Sequence, residues 1–386
     1  MSESKIDERI VTPNFLVLFG AAYFLFFALD FQIPVLPFYV LGIGGDNTAI
    51  GLLMAVFVVC SVVLRPFQGR NINQNGRKRL LIAGMAVYVV AGLSLLTLPS
   101  LPLLFLFRAL QGFGWGAFLL AFNTLVLDLA PPLRRGQMVG LMGIAPPLSL
   151  ATAPIFGEYM RISTESNYII LFFFAFAVSL VALFLAALVR EPAVSLEKVH
   201  KAPLFSRKVL FPSLIVFSMT FTIGGLLTFM PLFGEERNIQ SIGIFFTVFA
   251  LTSVLTRPLA GELSDRLGRA VIFLPGLGLS AIALIIIALA DTMPLFFISA
   301  VLLGIGFGSA HSAVVAMAAD RLPVLERGIG MATFTIAFDL GIVAGSVVLG
   351  LMLNWLSFTW VFLLCAAVML LPIVMYLIRE KAYAKV

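Results

Sequence analysis

Two copies of one stretch decide the fold: Arg65-Pro66-Phe67-Gln68-Gly69 … Gly76-Arg77 and Arg257-Pro258-Leu259-Ala260-Gly261 … Gly268-Arg269. They lie 192 residues apart, which is about half of the 386-residue chain. The same offset carries the glycines at 112, 114 and 116 onto those at 304, 306 and 308, and Asp128 onto Asp320. A duplication without gaps in so hydrophobic a chain is typical of membrane proteins that are built from two equivalent halves.

The composition predicts that lipid is the main solvent of the chain. It is 61% hydrophobic and 11% charged, with a mean hydropathy of +1.09, whereas soluble domains carry about 25% charged residues. Apolar stretches of about 20 residues, long enough to cross a bilayer as helices, recur throughout. We therefore expect an all-α integral membrane protein with twelve transmembrane helices in two pseudo-symmetric six-helix bundles. The predicted spans lie near 15–42, 48–68, 80–99, 102–129, 138–160, 167–189, 209–233, 241–262, 271–290, 294–319, 328–353 and 357–378.

The longest polar connection, residues 190 to 208, separates the sixth and seventh predicted spans. It divides the chain into an N-terminal bundle at 1–190, a cytoplasmic linker at 191–208 and a C-terminal bundle at 209–386. With the N-terminus inside, 20 of the 25 Lys and Arg residues fall on inner segments, and Arg161 and Arg237 on outer loops. This asymmetry predicts that both termini are cytoplasmic and that the protein lies in the cytoplasmic (plasma or inner) membrane.

The distribution of charge and the absence of certain motifs argue against several classes of function. The net charge of +6 follows the membrane topology, so it does not indicate nucleic-acid binding. The sequence contains no P-loop, zinc-ligand, Ser/His/Asp or dinucleotide pattern, and we expect no enzyme activity, no cofactor and no metal site. The expected partners are a small-molecule substrate, protons and membrane lipids, with a monomer as the functional unit.

The two repeated stretches resemble the signature loop of the major facilitator superfamily, Gly-x-x-x-Asp-x-x-Gly-Arg. The second copy carries Asp265 at the acidic position, whereas the first has Asn73 there. Pro34-Val35-Leu36-Pro37 and Arg108-Ala109-Leu110-Gln111-Gly112-Phe113-Gly114 are similar to motifs of the twelve-helix drug–proton antiporter branch. Gly140, Ser149, Ala153-Pro154 and Gly157 keep the spacing of its fifth-helix motif, although Ser149, Ala153 and Glu158 replace glycines. The resemblance implies alternating access, with a cavity lined by spans one, four, seven and ten.

Asp30 and Arg108 form the first candidate pair for proton coupling or substrate binding. Asp30 is the one charged residue of the first span, and a carboxylate within a bilayer costs about 2.5–3.5 kcal/mol even on lenient insertion scales. Arg108, in the fourth span, is its expected partner, and in the resembling family this arginine is implicated in proton transfer. The alternative is a permanent ion pair that only holds the helices together.

His311 and Asp339 form the second candidate pair, in spans ten and eleven. Counting of helix rise places them about 12 and 16 Å from the inner surface. Histidine titrates near neutral pH, which suits proton handling. The alternative is a hydrogen bond between neighbouring helices without a role in transport.

The candidate cavity lining comes from spans one and four. Tyr23, Phe27 and Phe31 recur at helical spacing on the side of span one that carries Asp30. An aromatic stripe beside a carboxylate suits a lipophilic cation, while simple packing explains it equally well. In span four we expect two polar residues, Gln111 and Asn123, to line the same cavity.

A third group of residues, at the predicted inner ends of the spans, is expected to act as a gate. Asp128 and Asp320 are repeat mates at the ends of spans four and ten, and we expect them to pair with the basic loop motifs rather than to remain solvated. The gating set comprises Arg65, Gly69, Gly76, Arg77, Asp128, Arg257, Gly261, Asp265, Gly268, Arg269 and Asp320.

These features favour proton-coupled efflux of small amphipathic or lipophilic compounds by alternating access. A symporter or facilitator for a nutrient or metabolite on the same fold is the first alternative. A membrane scaffold or sensor is the second, and the lack of any sizeable predicted soluble domain disfavours it. The candidate residues are not repeated between the two halves. At the offset of 192 residues, Asp30 corresponds to Thr222, Arg108 to Ala300, His311 to Leu119 and Asp339 to Pro147. We therefore expect the symmetric parts to move and the asymmetric residues to carry the chemistry.

Overall fold

The computed structural model describes residues 11–63, 76–93, 100–131, 134–191, 206–239, 241–323 and 326–383. This part of the chain is predominantly helical and contains no strand. Its α-helices are α1 (Pro13–Asp30), α2 (Leu36–Gly42), α3 (Asn47–Val63), α4 (Arg77–Leu93), α5 (Leu101–Leu129), α6 (Arg135–Met142), α7 (Ala145–Ser163), α8 (Tyr168–Leu188), α9 (Leu210–Glu236), α10 (Ile242–Leu267), α11 (Arg269–Leu289), α12 (Met293–Asp320), α13 (Arg327–Met352) and α14 (Phe358–Tyr383).

The predicted fold class, an all-α integral membrane protein with twelve spans, is confirmed. Within the described residues, ten helical segments are long and apolar enough to cross a bilayer. The remaining two spans correspond to α3 and α4, which are 17 residues each. Two of the twelve spans are broken: α1 ends at Asp30 and the helix resumes at Leu36, while α6 and α7 are separated at Gly143 and Ile144. Proline explains both breaks, since Pro34 and Pro146 cannot donate the backbone hydrogen bond of a continuous helix.

The chain divides into two compact units by packing. Unit 1 comprises Met1–Gln32 and Cys60–Lys198, and unit 2 comprises Ile33–Val59 and Val199–Val386. In unit 1, α1 packs on α7 and α8, and α4 packs on α5 and α8. In unit 2, α9 packs on α13 and α14, and α12 packs on α10 and α11. The bundle boundaries at 190 and 209 stay a prediction, because packing groups residues without regard to their order along the chain.

The sequence repeat is visible in the closest helix contacts of each unit. In unit 1, Gly84 of α4 faces Gly114 of α5, and a Cβ at Gly114 would lie 2.5 Å from the Gly84 carbonyl oxygen. Their repeat mates, Gly276 of α11 and Gly306 of α12, make the same contact in unit 2, with 2.6 Å from a Cβ at Gly306 to the Gly276 carbonyl oxygen. The backbones approach so closely because neither helix carries a side chain there.

This contact predicts opposite effects for two glycines of α11 that are two residues apart. Gly276→Ala places a methyl group 2.9 Å from the Gly306 carbonyl oxygen, and overpacking of this kind costs about 1–3 kcal/mol. Gly278 has open space around its Cβ position, so Gly278→Ala gains up to about 1 kcal/mol from helix propensity. In thermal unfolding of the purified proteins in detergent, Gly276→Ala should have a lower Tm than wild type, whereas Gly278→Ala should not. Equal melting temperatures for the two variants would refute the close packing of α11 on α12.

Candidate functional site

The first candidate site lies at the C-terminal end of α1, where the helix stops short of Pro34. The Ser149 hydroxyl of α7 donates a hydrogen bond of 2.6 Å to the Asp30 carboxylate. Ser149 is fully buried. One turn further along α7, the Thr152 hydroxyl lies 3.0 Å from the Tyr23 hydroxyl. Two polar contacts therefore join α1 to α7 along the side that carries Asp30.

Aromatic rings extend this side of α1. Phe27 contacts Phe156 of α7 and Phe174 of α8, with ring centroids 6.1 and 6.5 Å apart. Phe31 lies 5.0 Å from the Phe174 ring and is fully buried. The aromatic stripe predicted for span one is thus continued by rings of two other helices. The lining role of Tyr23, Phe27 and Phe31 stays a prediction, because packing against α7 and α8 accounts for these contacts too.

Arg108 of α5 reaches the same end of α1, where it forms a hydrogen bond with Gln32. The Arg108 guanidinium donates to the Gln32 side-chain oxygen over 3.2 Å, and the Gln32 amide nitrogen donates to the Ala28 carbonyl over 2.8 Å. The second bond fixes the orientation of the amide, so that its oxygen faces Arg108. Tyr88 of α4, which is 1% exposed, lies within electrostatic range of Arg108. Arg108 is therefore hydrogen-bonded to Gln32, two residues after Asp30. Direct pairing of Arg108 with Asp30 stays a prediction.

Gln32 offers a test of this arrangement. Gln32→Leu keeps the bulk of the side chain but removes the amide that accepts from Arg108, and loss of a hydrogen bond to a charged group costs about 1.5–3 kcal/mol. We expect transport by Gln32→Leu to fall about tenfold or more, with normal insertion. The matched control is Gln137→Leu, because Gln137 is exposed. Wild-type transport by Gln32→Leu would show that Gln32 does not position Arg108.

The second candidate pair is found in unit 2 with aromatic neighbours. The His311 ring of α12 stacks on Phe307, with centroids 5.7 Å apart and planes 13° apart. It also meets the Phe338 ring of α13 edge-on at 5.9 Å, and Phe338 precedes Asp339 in the chain. The structure thus brings the helices of His311 and Asp339 together at this level. A direct interaction between the two residues stays a prediction.

Two of the gating residues form an ion pair in unit 1. The Arg77 Nε lies 2.7 Å from an Asp128 carboxylate oxygen, and the side chains are 12% and 14% exposed. The Glu191 carboxylate accepts a hydrogen bond of 2.6 Å from the Arg77 backbone N–H at the start of α4, where a negative charge is favourable. Gly76 has a φ of +88°, and a Cβ there would lie 3.1 Å from the Glu191 carboxylate. Glycine therefore serves both the turn and the approach of Glu191.

The repeat mates form the equivalent ion pair in unit 2. The Arg269 Nε lies 2.8 Å from Asp320, with the side chains 24% and 54% exposed. Arg269 also pairs with Asp265 and donates to the Ser264 hydroxyl over 3.1 Å. Gly268 has a φ of +97°, like its mate Gly76. We call the Arg77–Asp128 and Arg269–Asp320 pairs the latch pairs.

The other predicted site residues are distributed as follows. Gln111 is 1% exposed, and its side-chain oxygen has no hydrogen-bond partner among the described residues, whereas Asn123 is exposed. Gly261 has open space at its Cβ position. Arg257 lies outside both latch pairs. Arg65 and Gly69, like Asn73, lie outside the described residues.

Several residues of these sites were not singled out from the sequence. Gln32 carried a signal, because it is an uncharged polar residue within an apolar span and two residues from Asp30. Thr152, Phe156 and Phe174 carried no such signal, since only packing shows which face of α7 or α8 meets α1.

Unit 2 also contains a cavity of about 360 Å³, lined in part by Phe38, Leu232, Glu235, Glu236 and Phe358. Across the described residues, no three His, Cys, Asp or Glu side chains are grouped so that they could hold a metal ion.

Comparison with known proteins agrees with this architecture. The family model described as Major Facilitator Superfamily matches residues 18–240 and 213–386. The chain is 23% identical over 354 residues to the staphylopine export protein of Staphylococcus aureus (strain Mu50), covering 88% of this chain and 89% of that protein. It is 21% identical over 286 residues to multidrug resistance protein 2 of Bacillus subtilis (strain 168), covering 69% and 70%.

Among solved structures, the crystal structure of the nucleoside transporter NupG superposes with a TM-score of 0.75. The match covers 96% of this chain and all of that chain (100%), at 13% sequence identity. At this identity the likeness shows a shared fold and nothing about the transported compound.

Proposed function

The chain belongs to the major facilitator superfamily and is a transporter embedded in the membrane rather than an enzyme, and from this premise we propose that it exports small amphipathic or lipophilic compounds in exchange for protons. In such two-half transporters the halves rock about a site near the middle of the bilayer and expose it to one side at a time. Proton and substrate bind in turn, so that the proton gradient drives export.

The observation that carries the proton-coupling proposal is the contact between Asp30 and Ser149. A carboxyl group at this depth is costly to keep without a partner, and the Asp30 carboxylate accepts a hydrogen bond from the neutral Ser149 hydroxyl. A hydroxyl donates to a carboxylate and accepts from a protonated carboxyl group. Ser149 therefore suits both protonation states of Asp30, whereas a permanent arginine partner would favour one of them. A group that binds and releases a proton needs such a neutral partner.

Two further observations support the proposed class of substrate and the proposed direction of transport. The Tyr23, Phe27, Phe156 and Phe174 rings beside Asp30 offer an apolar surface and π-faces to an amphipathic compound. Relatives named as an export protein and as a multidrug resistance protein span most of the chain. Arg108, held by Gln32 next to the Asp30 turn, is the group whose movement we expect to favour proton release.

The alternative is symport or facilitated uptake of a nutrient or metabolite on the same fold. It is favoured by Asn73, which stands at the acidic position of the first signature loop. In symport, substrate and proton bind together and move in the same direction.

Transport in proteoliposomes under an imposed pH gradient separates these functions. Three probes share one apolar ring system and differ in charge: naphthylmethylamine, naphthalenemethanol and naphthaleneacetate. For the probes that the protein carries, we expect the probe to move in the direction opposite to proton flow. This flux should stop when the pH gradient is removed. Flux in the same direction as protons would establish symport, and flux that ignores the gradient would establish a facilitator; either result would refute the proposal.

A further inference from the structure

Arg257 of α10 is a half-buried guanidinium without a counter-charge among the described residues. Its Nε is buried and has no hydrogen-bond partner there, and the ion pairs of the described residues involve other cations. The carboxylates nearest to it in the signature loop are engaged elsewhere, since Asp265 pairs with Arg269 and Glu262 with Arg266. A buried charge without a partner is costly, and within a membrane such a group marks a functional site by default.

The neighbour of Arg257 is His311, and the two side chains lie within electrostatic range. The positions of the two residues along their helices agree with this proximity. Arg257 precedes Asp265, a further partner of Arg269, by eight residues, and His311 precedes Asp320 of the second latch pair by nine. Both therefore lie about 12–14 Å along their helices from the carboxylates that bind Arg269. The helices α10 and α12 that carry them are closely packed. Both side chains carry N–H groups, and neither the Arg257 guanidinium nor the imidazole is part of a latch pair.

Apolar rings complete this side of the site. The His311 ring lies against Phe307 and Phe338, and Phe307 also contacts Phe249 of α10 at 5.8 Å. The arrangement combines a guanidinium fork, an imidazole and phenyl rings. A guanidinium matches the two oxygens of a carboxylate or phosphate group with two parallel hydrogen bonds. The rings suit the apolar body of the molecule that carries such a group.

We infer that Arg257 and His311 form a binding site for an anionic oxygen acid, a carboxylate or phosphate group, on a molecule with an apolar body. The inference rests on the proposed function, because it names one chemical group of the compounds that the protein carries. It also assigns Arg257 to binding, whereas the sequence repeat alone placed this residue with the gate. The same chemistry is presented by a soluble acid and by the headgroup of an acidic lipid.

Equilibrium binding to the purified full-length protein in neutral detergent tests the inference without any gradient, so that its failure is distinct from failure of proton-coupled export. Naphthaleneacetate should bind to wild type, and Arg257→Gln should weaken that binding about tenfold or more, as expected for loss of a charge-assisted pair of hydrogen bonds. Arg257→Lys, which keeps the charge but not the fork, should bind with intermediate affinity. Naphthalenemethanol serves as the uncharged probe and should bind equally to all three proteins.

The matched control is Arg237→Gln, because the Arg237 guanidinium already donates to Thr359 over 2.8 Å and lies over the Phe233 ring. It should bind naphthaleneacetate as wild type does. A parallel titration with phosphatidylglycerol and phosphatidylcholine nanodiscs distinguishes the sources: selective loss of phosphatidylglycerol binding in Arg257→Gln assigns the site to a lipid phosphate. If Arg257→Gln, eluting as a folded monodisperse protein, binds the acid and the acidic lipid as wild type does, the inference is wrong. Loss of naphthalenemethanol binding by the same variant would also overturn it, because the defect would then be general.

Discussion

Asp30→Asn is expected to reduce proton-driven exchange by about 100-fold or more, the scale on which loss of a positioned proton-transfer group acts. Asparagine has the shape of the protonated carboxyl group, and its side-chain oxygen still accepts the hydrogen bond that Ser149 donates at 2.6 Å. The variant should therefore fold and insert, yet carry no proton. Exchange is measured in proteoliposomes with the naphthalene probe that wild type transports best.

The control for this variant is Asp291→Asn, since Asp291 is exposed between α11 and α12. It should exchange at the wild-type rate. Asp30→Asn should still equilibrate the probe down its own concentration gradient, because that process moves no proton. Unchanged proton-driven exchange by Asp30→Asn would exclude Asp30 as the proton carrier.

The latch pairs are expected to differ in strength although they are repeat mates. The Arg77 and Asp128 side chains are 12% and 14% exposed, and removal of one partner of a buried pair costs about 3–5 kcal/mol. The Arg269 and Asp320 side chains are 24% and 54% exposed, and pairs exposed to solvent contribute about 0.2–1 kcal/mol. We therefore expect Arg77→Ala to lower the exchange rate about 100-fold and Arg269→Ala by less than about fivefold.

Two controls separate this effect from general damage. Arg77→Ala keeps the backbone N–H that donates to Glu191, so the start of α4 stays in place. Arg266→Ala removes an exposed pair within one helix turn and should have no effect. The charge-reversed double variant Arg77→Asp with Asp128→Arg should recover part of the rate. If Arg269→Ala proves as damaging as Arg77→Ala, exposure does not set the strength of the latch pairs.

The fold could be predicted because two strong signals agree. Hydropathy locates twelve spans whose length is fixed by the bilayer, and the offset of 192 residues reappears as contacts. The pairs Gly84 with Gly114 and Gly276 with Gly306 are related by it. The two latch pairs are related by it as well. The helix breaks could be predicted in part from the sequence, since proline interrupts a helix directly.

The site could be predicted only in part, because partners depend on which helix faces meet. Asp30 and Arg108 stand out as charges in apolar spans, but nothing in the sequence shows that Ser149 bonds to Asp30 or that Gln32 bonds to Arg108. Their separations along the chain, 119 and 76 residues, exceed any local pattern. Similarly, the Glu191 carboxylate at the start of α4 has no motif of its own. Which of the predicted residues bind proton and substrate stays a prediction.

Proton release on substrate binding tests proton exchange at Asp30 most directly. The purified protein is placed in weakly buffered detergent solution near the pH at which wild-type exchange is half-maximal, and a probe that it carries is added while the pH is recorded. The proposed exchange mechanism predicts that wild type and Asp291→Asn both release protons when the probe is added. It predicts that Asp30→Asn, although folded as wild type is, releases none. Proton uptake by wild type, or equal release by wild type and Asp30→Asn, would contradict it.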